Sequence, residues 1–126
     1  MTEILRCLNP RFEDAGTTLL NEMDEVGEIV FISKGELAVG FEINKQQYFA
    51  IKYDKPTVIG AFHVTFFQRV TFIYKCVTRI EGYYIYKKNW LEILDEYTDV
   101  AKALRSNILI NYLCKVRAKL NLAKHK

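Results

Sequence analysis

Residues Glu25–Val39 read EVGEIVFISKGELAV, and their spacing decides the fold. Gly27 and Gly35 punctuate the stretch. Ile29 and Phe31, then Leu37, Val39 and Phe41 beyond a Lys34–Gly35 turn, recur at every second position. That is the period of two strands joined tightly, each with one face turned to a core. The same signal continues outward. NKQQYFAIKY is a further strand after an Asn44–Lys45 turn, and DKPTVI is a turn leading into a strand that Pro56 keeps from a central position. In VTFIYKCVT, Val70, Phe72, Tyr74 and Cys76 alternate against Thr71, Ile73 and Lys75; GYYIYK closes the series. On the N-terminal side TTLLNE is a short strand. Many short strands at this spacing predict an α+β chain whose β part is an antiparallel roll, a jelly-roll-like barrel.

The flanks are helical. Ile4, Leu5 and Leu8 form a short apolar face that Asn9–Pro10 ends, the remnant of a longer helix or one that packs on a neighbour. After the roll, Asn89 with Glu92 three residues on fits a capping box, and WLEILDEY buries Trp90, Ile93 and Leu94 in a short hinge helix. Thr98–Asp99 starts a long C-terminal helix. Val100, Leu104, Asn107/Ile108 and Asn111 run down one side of it, and Leu109, Leu113, Val116 and Leu120 down another. So wide an apolar surface either docks on the roll and meets something else as well, or forms one broad core face. The chain thus divides into a truncated N-terminal helix over 1–8, a roll over 9–88 and helices over 89–126, all one domain.

Bulk properties exclude several classes. A chain of 126 residues, half apolar and about a quarter charged, supports one packed core. The net charge of +3 is mild, and much of it lies at Lys115, Arg117, Lys119, Lys124 and Lys126. Such a tail is ordinarily a solvated helix end rather than a nucleic-acid or membrane patch. Three cysteines (Cys7, Cys76, Cys114) without a C-x-x-C point to neither a disulfide framework nor a zinc site. No metal or catalytic cluster stands out. His125 sits in the tail, and His63 reads as a partly buried loop residue rather than a base. No apolar run reaches the length of a membrane span, and no signal peptide opens the chain.

Helix, roll, short helix, long helix resembles the cyclic-nucleotide-binding domain, and several motifs agree. EVGEIVFISKGELAV looks like that family's strand–turn–strand, an apolar-Phe-Ile with glycine after two further residues, here Phe31, Ile32 and Gly35. GYYIYKKNWLEILDEYT resembles the exit strand and hinge helix of the domain in hyperpolarisation-activated channels. LDEYTDVAKALRSNILINYLCKVR looks like ether-a-go-go potassium channels, where a Tyr-Thr also precedes the last helix; the following Asn-aliphatic-aliphatic-aliphatic-x-Tyr is Asn107 to Tyr112 here.

The resemblance implies a phosphate-binding cassette over 59–72. In the family it reads Phe-Gly-Glu, an aliphatic stretch, then Arg-Thr/Ala-Ala. Backbone N–H groups and the arginine hold the cyclic phosphate, and the glutamate takes the ribose hydroxyl. Aligned without gaps, Ile59 stands for the aromatic, Gly60 keeps the glycine, Ala61 replaces the glutamate, Val70 replaces the arginine, and Thr71 keeps the hydroxyl. A hydrogen bond to a charged group is worth about 1.5–3 kcal/mol. Two lost anchors then cost roughly a hundred- to ten-thousand-fold in affinity. Arg69 is one position away, on the opposite side of an extended segment. Cyclic-nucleotide binding is therefore expected to be weak or absent, with no other cofactor, and Ala61→Glu with Val70→Arg to strengthen it if the backbone at Gly60 is kept.

An empty apolar pocket loses packing contacts, so a filler is expected: Phe62, Phe66 or Phe67 from the cassette, or Tyr112 or Leu120 from the helix. In ether-a-go-go channels a returning segment occupies the pocket; its aromatic and aliphatic groups match Tyr112 and Cys114, with Leu120–Asn121–Leu122 as a second match. Tyr112 on an unbroken helix facing an interface is the alternative. An open cavity beside Gly60 would instead favour a ligand sensor.

The resemblance implies a non-enzymatic, soluble regulatory module at the cytoplasmic face of a membrane, part of a potassium or mixed cation channel and acting in gating or assembly. Its partners would be the rest of the parent and neighbouring subunits of a homotetramer. The alternatives are a working cAMP or cGMP sensor of a channel, and the same module of a sodium/proton exchanger. A catabolite-activator-type regulator would need a helix-turn-helix where only RAKLNLAKHK follows, so no nucleic-acid partner is expected.

Overall fold

The computed structural model describes residues 6–124. Eight strands form two four-stranded antiparallel sheets. They are β1 (Asn9–Glu13), β2 (Thr18–Leu20), β3 (Glu28–Lys34), β4 (Leu37–Ile43), β5 (Gln46–Tyr53), β6 (Thr57–Ile59), β7 (Ile73–Cys76) and β8 (Ile80–Tyr86). One sheet runs β1-β8-β3-β6, the other β2-β7-β4-β5. Each has two edges, so the roll is a sandwich of sheets and not a closed barrel. A short helix α1 (Ala61–Thr65) interrupts the strands, and α2 (Lys87–Glu96) and α3 (Thr98–Asn111) follow them. A π-helical segment (Tyr112–Arg117) joins α3 to α4 (Ala118–Lys124).

The turns follow their residues. Asn44 and Lys45 both take positive φ, 51° and 65°, between the paired Ile43 and Gln46. That is the two-residue hairpin geometry matched to strand twist. Gly35 turns β3 into β4 at φ 110°, and a Cβ there would lie 2.6 Å from the Arg79 carbonyl oxygen.

The core joins both sheets to the helices. Leu37, Val39, Ile80 and Ile85 from the strands, Leu94 from α2 and Leu120 from α4 are fully buried. Ala101, Tyr112, Val116 and Leu120 are the buried positions of the C-terminal helices, with Leu104 and Ile108 half-buried. From Leu104 onward these positions recur every four residues. On a helix of 3.6 residues per turn that spacing drifts by about 40° at each step. The π-segment widens one turn, with the Ala118 N–H donating to the Leu113 carbonyl five residues back, and so returns the stripe toward the sheets.

Three sequence expectations need correction. Asn9–Pro10 does not simply end a helix. It opens β1, where Pro10 pairs with Tyr83 on an edge strand, a place where a missing N–H is tolerated. Of the N-terminal helix expected over 1–8, Arg6 and Cys7 are helical, Leu8 is not, and residues 1–5 lie outside the described residues. Asn89 is not a cap: α2 starts at Lys87, whose N–H donates to the Gly27 carbonyl at 2.9 Å, and the roll ends at Tyr86.

Candidate ligand pocket

β6 ends at the buried Ile59, paired with Val30 of β3. Gly60 then turns the chain into α1 at φ 88°, which any side chain would strain. A Cβ at Gly60 would also stand 3.0 Å from the Glu28 carbonyl oxygen and from Val26 Cγ1. The turn therefore presses against the start of β3 as the chain enters α1. Ala61, half-buried, brings no charge to its first position.

α1 carries two buried polar side chains. Thr65 Oγ1 accepts a hydrogen bond from the Trp90 Nε1–H at 3.0 Å, tying α1 to α2. His63 is 3% exposed, and neither ring nitrogen has a hydrogen-bond partner among the described residues. Its neighbours are aromatic rings: Phe62 at 5.3 Å, Tyr112 at 5.2 Å and Tyr74 at 6.5 Å between centroids, each edge-on. Burial lowers the His63 pKa to about 4, so the imidazole is neutral at pH 7.

Tyr112 lies face to face on Phe62, with centroids 3.9 Å apart and planes 8° apart. Its hydroxyl is 3.0 Å from Thr71 Oγ1. Burial pushes the Tyr112 phenol up, while the Thr71 hydrogen bond and Arg117 pull it down. The π-segment begins at this residue.

The far end of the cassette is closed. Val70 is fully buried; its N–H donates to the Asp24 carbonyl at 3.0 Å and its carbonyl accepts from Met23 N–H at 2.6 Å. Arg69 turns outward to the Met23 carbonyl and the Glu25 carboxylate, at 3.0 and 2.7 Å. Phe67 is 65% exposed, with Lys87 Nζ 4.7 Å from its ring centre.

A cavity of about 650 Å³, partly open to solvent, lies beside Gly60. Ile29 and Phe31 of β3, Ile51–Tyr53 of β5, Ile59–His63, Trp90, and one side of α3 with Leu104, Asn107, Ile108 and Asn111 line it. Tyr112, Lys115, Val116 and Lys119 complete the wall. No carboxylate and no arginine is among them. The structure thus gathers Ile59, Gly60, Ala61, Phe62 and Tyr112 at one cavity. Val70 and Leu120 lie in the core and Cys114 is exposed. Thr71 reaches the site through the Tyr112 hydroxyl. The sequence reading missed His63, which is a buried helical residue and not a loop one, and missed Asn107, Asn111, Lys115 and Lys119 as pocket residues. A histidine three positions after the turn glycine was the available signal.

Two sheets, a short helix at the mouth and a helical C-terminus also occur together in known structures. The Thermus thermophilus catabolite activator protein superposes with a TM-score of 0.75 at 12% identity, over 98% of this chain and 59% of that one. This is the fold of cyclic-nucleotide-binding domains. The C-linker/CNBHD of zELK channels, crystallised in the presence of cAMP, matches at 0.73 and 23% identity, over 85% of this chain and 54% of that one. The regulatory domain of Toxoplasma gondii PKA, co-crystallised with cAMP, matches at 0.69 and 14%, over 87% and 42%. The chain spans about half the length of the structures it matches. No protein-family model and no curated protein sequence matches it. No helix among the described residues is long and apolar enough to cross a membrane.

Proposed function

We propose that this chain is a non-catalytic regulatory module at the cytoplasmic end of a membrane cation channel, with a pocket that has lost its tuning for cyclic nucleotides. The carrying observation is the charge inventory of the cavity: Ala61 stands at the start of α1, Val70 is sealed in the core, and Arg69 is held outside by Glu25. A cyclic nucleotide entering there meets, among the described residues, lysines but no guanidinium for its phosphate, and no carboxylate for its ribose. Tyr112 occupies part of the space from the protein's own helix. The channel context is supported by the Tyr97–Thr98 and Asn107–Tyr112 motifs and by the likeness to the zELK domain. In this reading the module acts in gating or assembly, through the parent protein and the neighbouring subunits of a homotetramer.

One observation favours a second reading, a ligand sensor: the cavity beside Gly60 is not filled. Thermal unfolding with millimolar cAMP or cGMP separates the two, because a ligand that binds the folded state raises the midpoint. An unchanged midpoint is expected; a rise of several degrees with either nucleotide overturns the first reading in favour of the second.

A further inference from the structure

His63 carries the inference. Buried polar side chains are nearly always hydrogen-bonded, yet this imidazole, 97% removed from solvent, has no partner among the described residues and lines the cavity. A neutral imidazole offers one donor and one acceptor. The rings around it supply neither in ordinary hydrogen-bond geometry. Beside it the Phe62–Tyr112 stack presents a flat aromatic wall. Among the described residues, three lysines and no carboxylate line the cavity. Lys52 is paired with Glu36, whereas Lys115 and Lys119 have no carboxylate partner among the described residues. The volume is that of a small-molecule site.

The geometry points to a site for a planar aromatic acid, its ring against the Phe62–Tyr112 stack, one ring heteroatom hydrogen-bonded to His63, and its anionic group at Lys115 and Lys119. This inference rests on the proposed reading that the pocket no longer selects cyclic nucleotides, and it names the chemistry selected instead. Such a ligand needs no ribose partner at Ala61 and no phosphate clamp at Val70. Asn107 and Asn111 on the same wall supply further amide contacts at the mouth. Because Tyr112 opens the π-segment, occupancy would be felt by the C-terminal helix directly.

Amide NMR titration of the whole chain with matched probes tests this. Indole-3-acetate offers a ring N–H to the imidazole; benzothiophene-3-acetate keeps the shape and charge without that donor; tryptamine reverses the charge. Indole-3-acetate is expected to bind below millimolar, with shifts at His63, Phe62 and Tyr112. The benzothiophene acid should bind about tenfold more weakly, the worth of one hydrogen bond, and tryptamine not at all. His63→Phe should erase the difference between the two acids, and Lys115→Gln with Lys119→Gln should weaken both. If a variant fails to fold, the probe pair on the unaltered chain still decides. Equal binding of the two acids, or no shifts at millimolar indole-3-acetate, overturns the site. cAMP is titrated alongside. Failure of both to bind rejects the aromatic-acid site alone, whereas micromolar cAMP without indole-3-acetate rejects the proposed function as well.

Discussion

Thr65 and His63 sit two residues apart on one five-residue helix, and both are buried. Thr65 is answered by Trp90, whereas His63 is answered by nothing among the described residues. The cassette repeats the contrast on a larger scale. Its Val70 end is packed shut and clamped to Met23 and Asp24, while its Gly60 end opens on a cavity. The fold satisfies its interior wherever the interior is structural. The exception marks where something other than the chain's own core is to be expected.

The largest effect should come from forcing charge into the closed end. Val70→Arg places a cation where the side chain has no exposure. Loss of about 4 kcal/mol or more is expected in urea unfolding. The design pairing it with Ala61→Glu is therefore expected to unfold the sandwich rather than restore a nucleotide site. A stable Val70→Arg protein would show that this end can open.

Removing the plug comes next. Tyr112→Ala deletes the ring stacked on Phe62 and should cost about 3 kcal/mol, near the lower range for a buried aromatic. Tyr112→Phe keeps the stack and loses the Thr71 hydrogen bond, for about 1 kcal/mol. Equal costs for the two would mean that the hydroxyl, not the ring, holds the helix.

Acid should act at the open end through His63. His63 protonates at about 4 in the fold against 6.5 ordinarily. Between those values the unfolded chain holds the extra proton, so this contribution to stability is full above pH 6.5 and is lost as pH falls toward 4. The loss approaches roughly 3 kcal/mol at the lower limit. Comparing the chain with His63→Leu across that range isolates the term, and the variant should show a flatter profile. At pH 7, Thr65→Val should cost about 1–3 kcal/mol by stranding the Trp90 N–H. His63→Leu should cost little or add stability, since it removes an unmet polar group. Reversal of that order would break the contrast between the two residues.

Much of the fold was legible because local signals and tertiary need agree. The Lys34–Gly35 and Asn44–Lys45 turns, the strands around them and the start of α3 at Thr98 lie where their residues put them. β1 was not, because Pro10 reads as a breaker until an edge position makes its missing N–H harmless. The cap at Asn89 failed because tertiary contact between Lys87 and Gly27 starts α2 earlier than the capping pattern does. Of the pocket, Gly60, Ala61 and Phe62 were readable from the cassette. Which of Phe62, Phe66 and Phe67 turns inward was not: Phe67 takes φ 54° and leaves the core, a backbone choice with no periodic signature. The isolation of His63 depends on three rings, its neighbour Phe62 and the distant Tyr74 and Tyr112, and leaves no trace in spacing.

Calorimetric titration of the chain with cAMP and cGMP tests the central claim most directly. A cavity walled by Phe62, His63 and Tyr112, with no carboxylate and no arginine among its described lining residues, is expected to give a dissociation constant no tighter than millimolar for either. A low-micromolar constant would contradict the account, because Arg69 is held outside by Glu25 and the described lining offers a cyclic phosphate only lysines and its ribose no carboxylate.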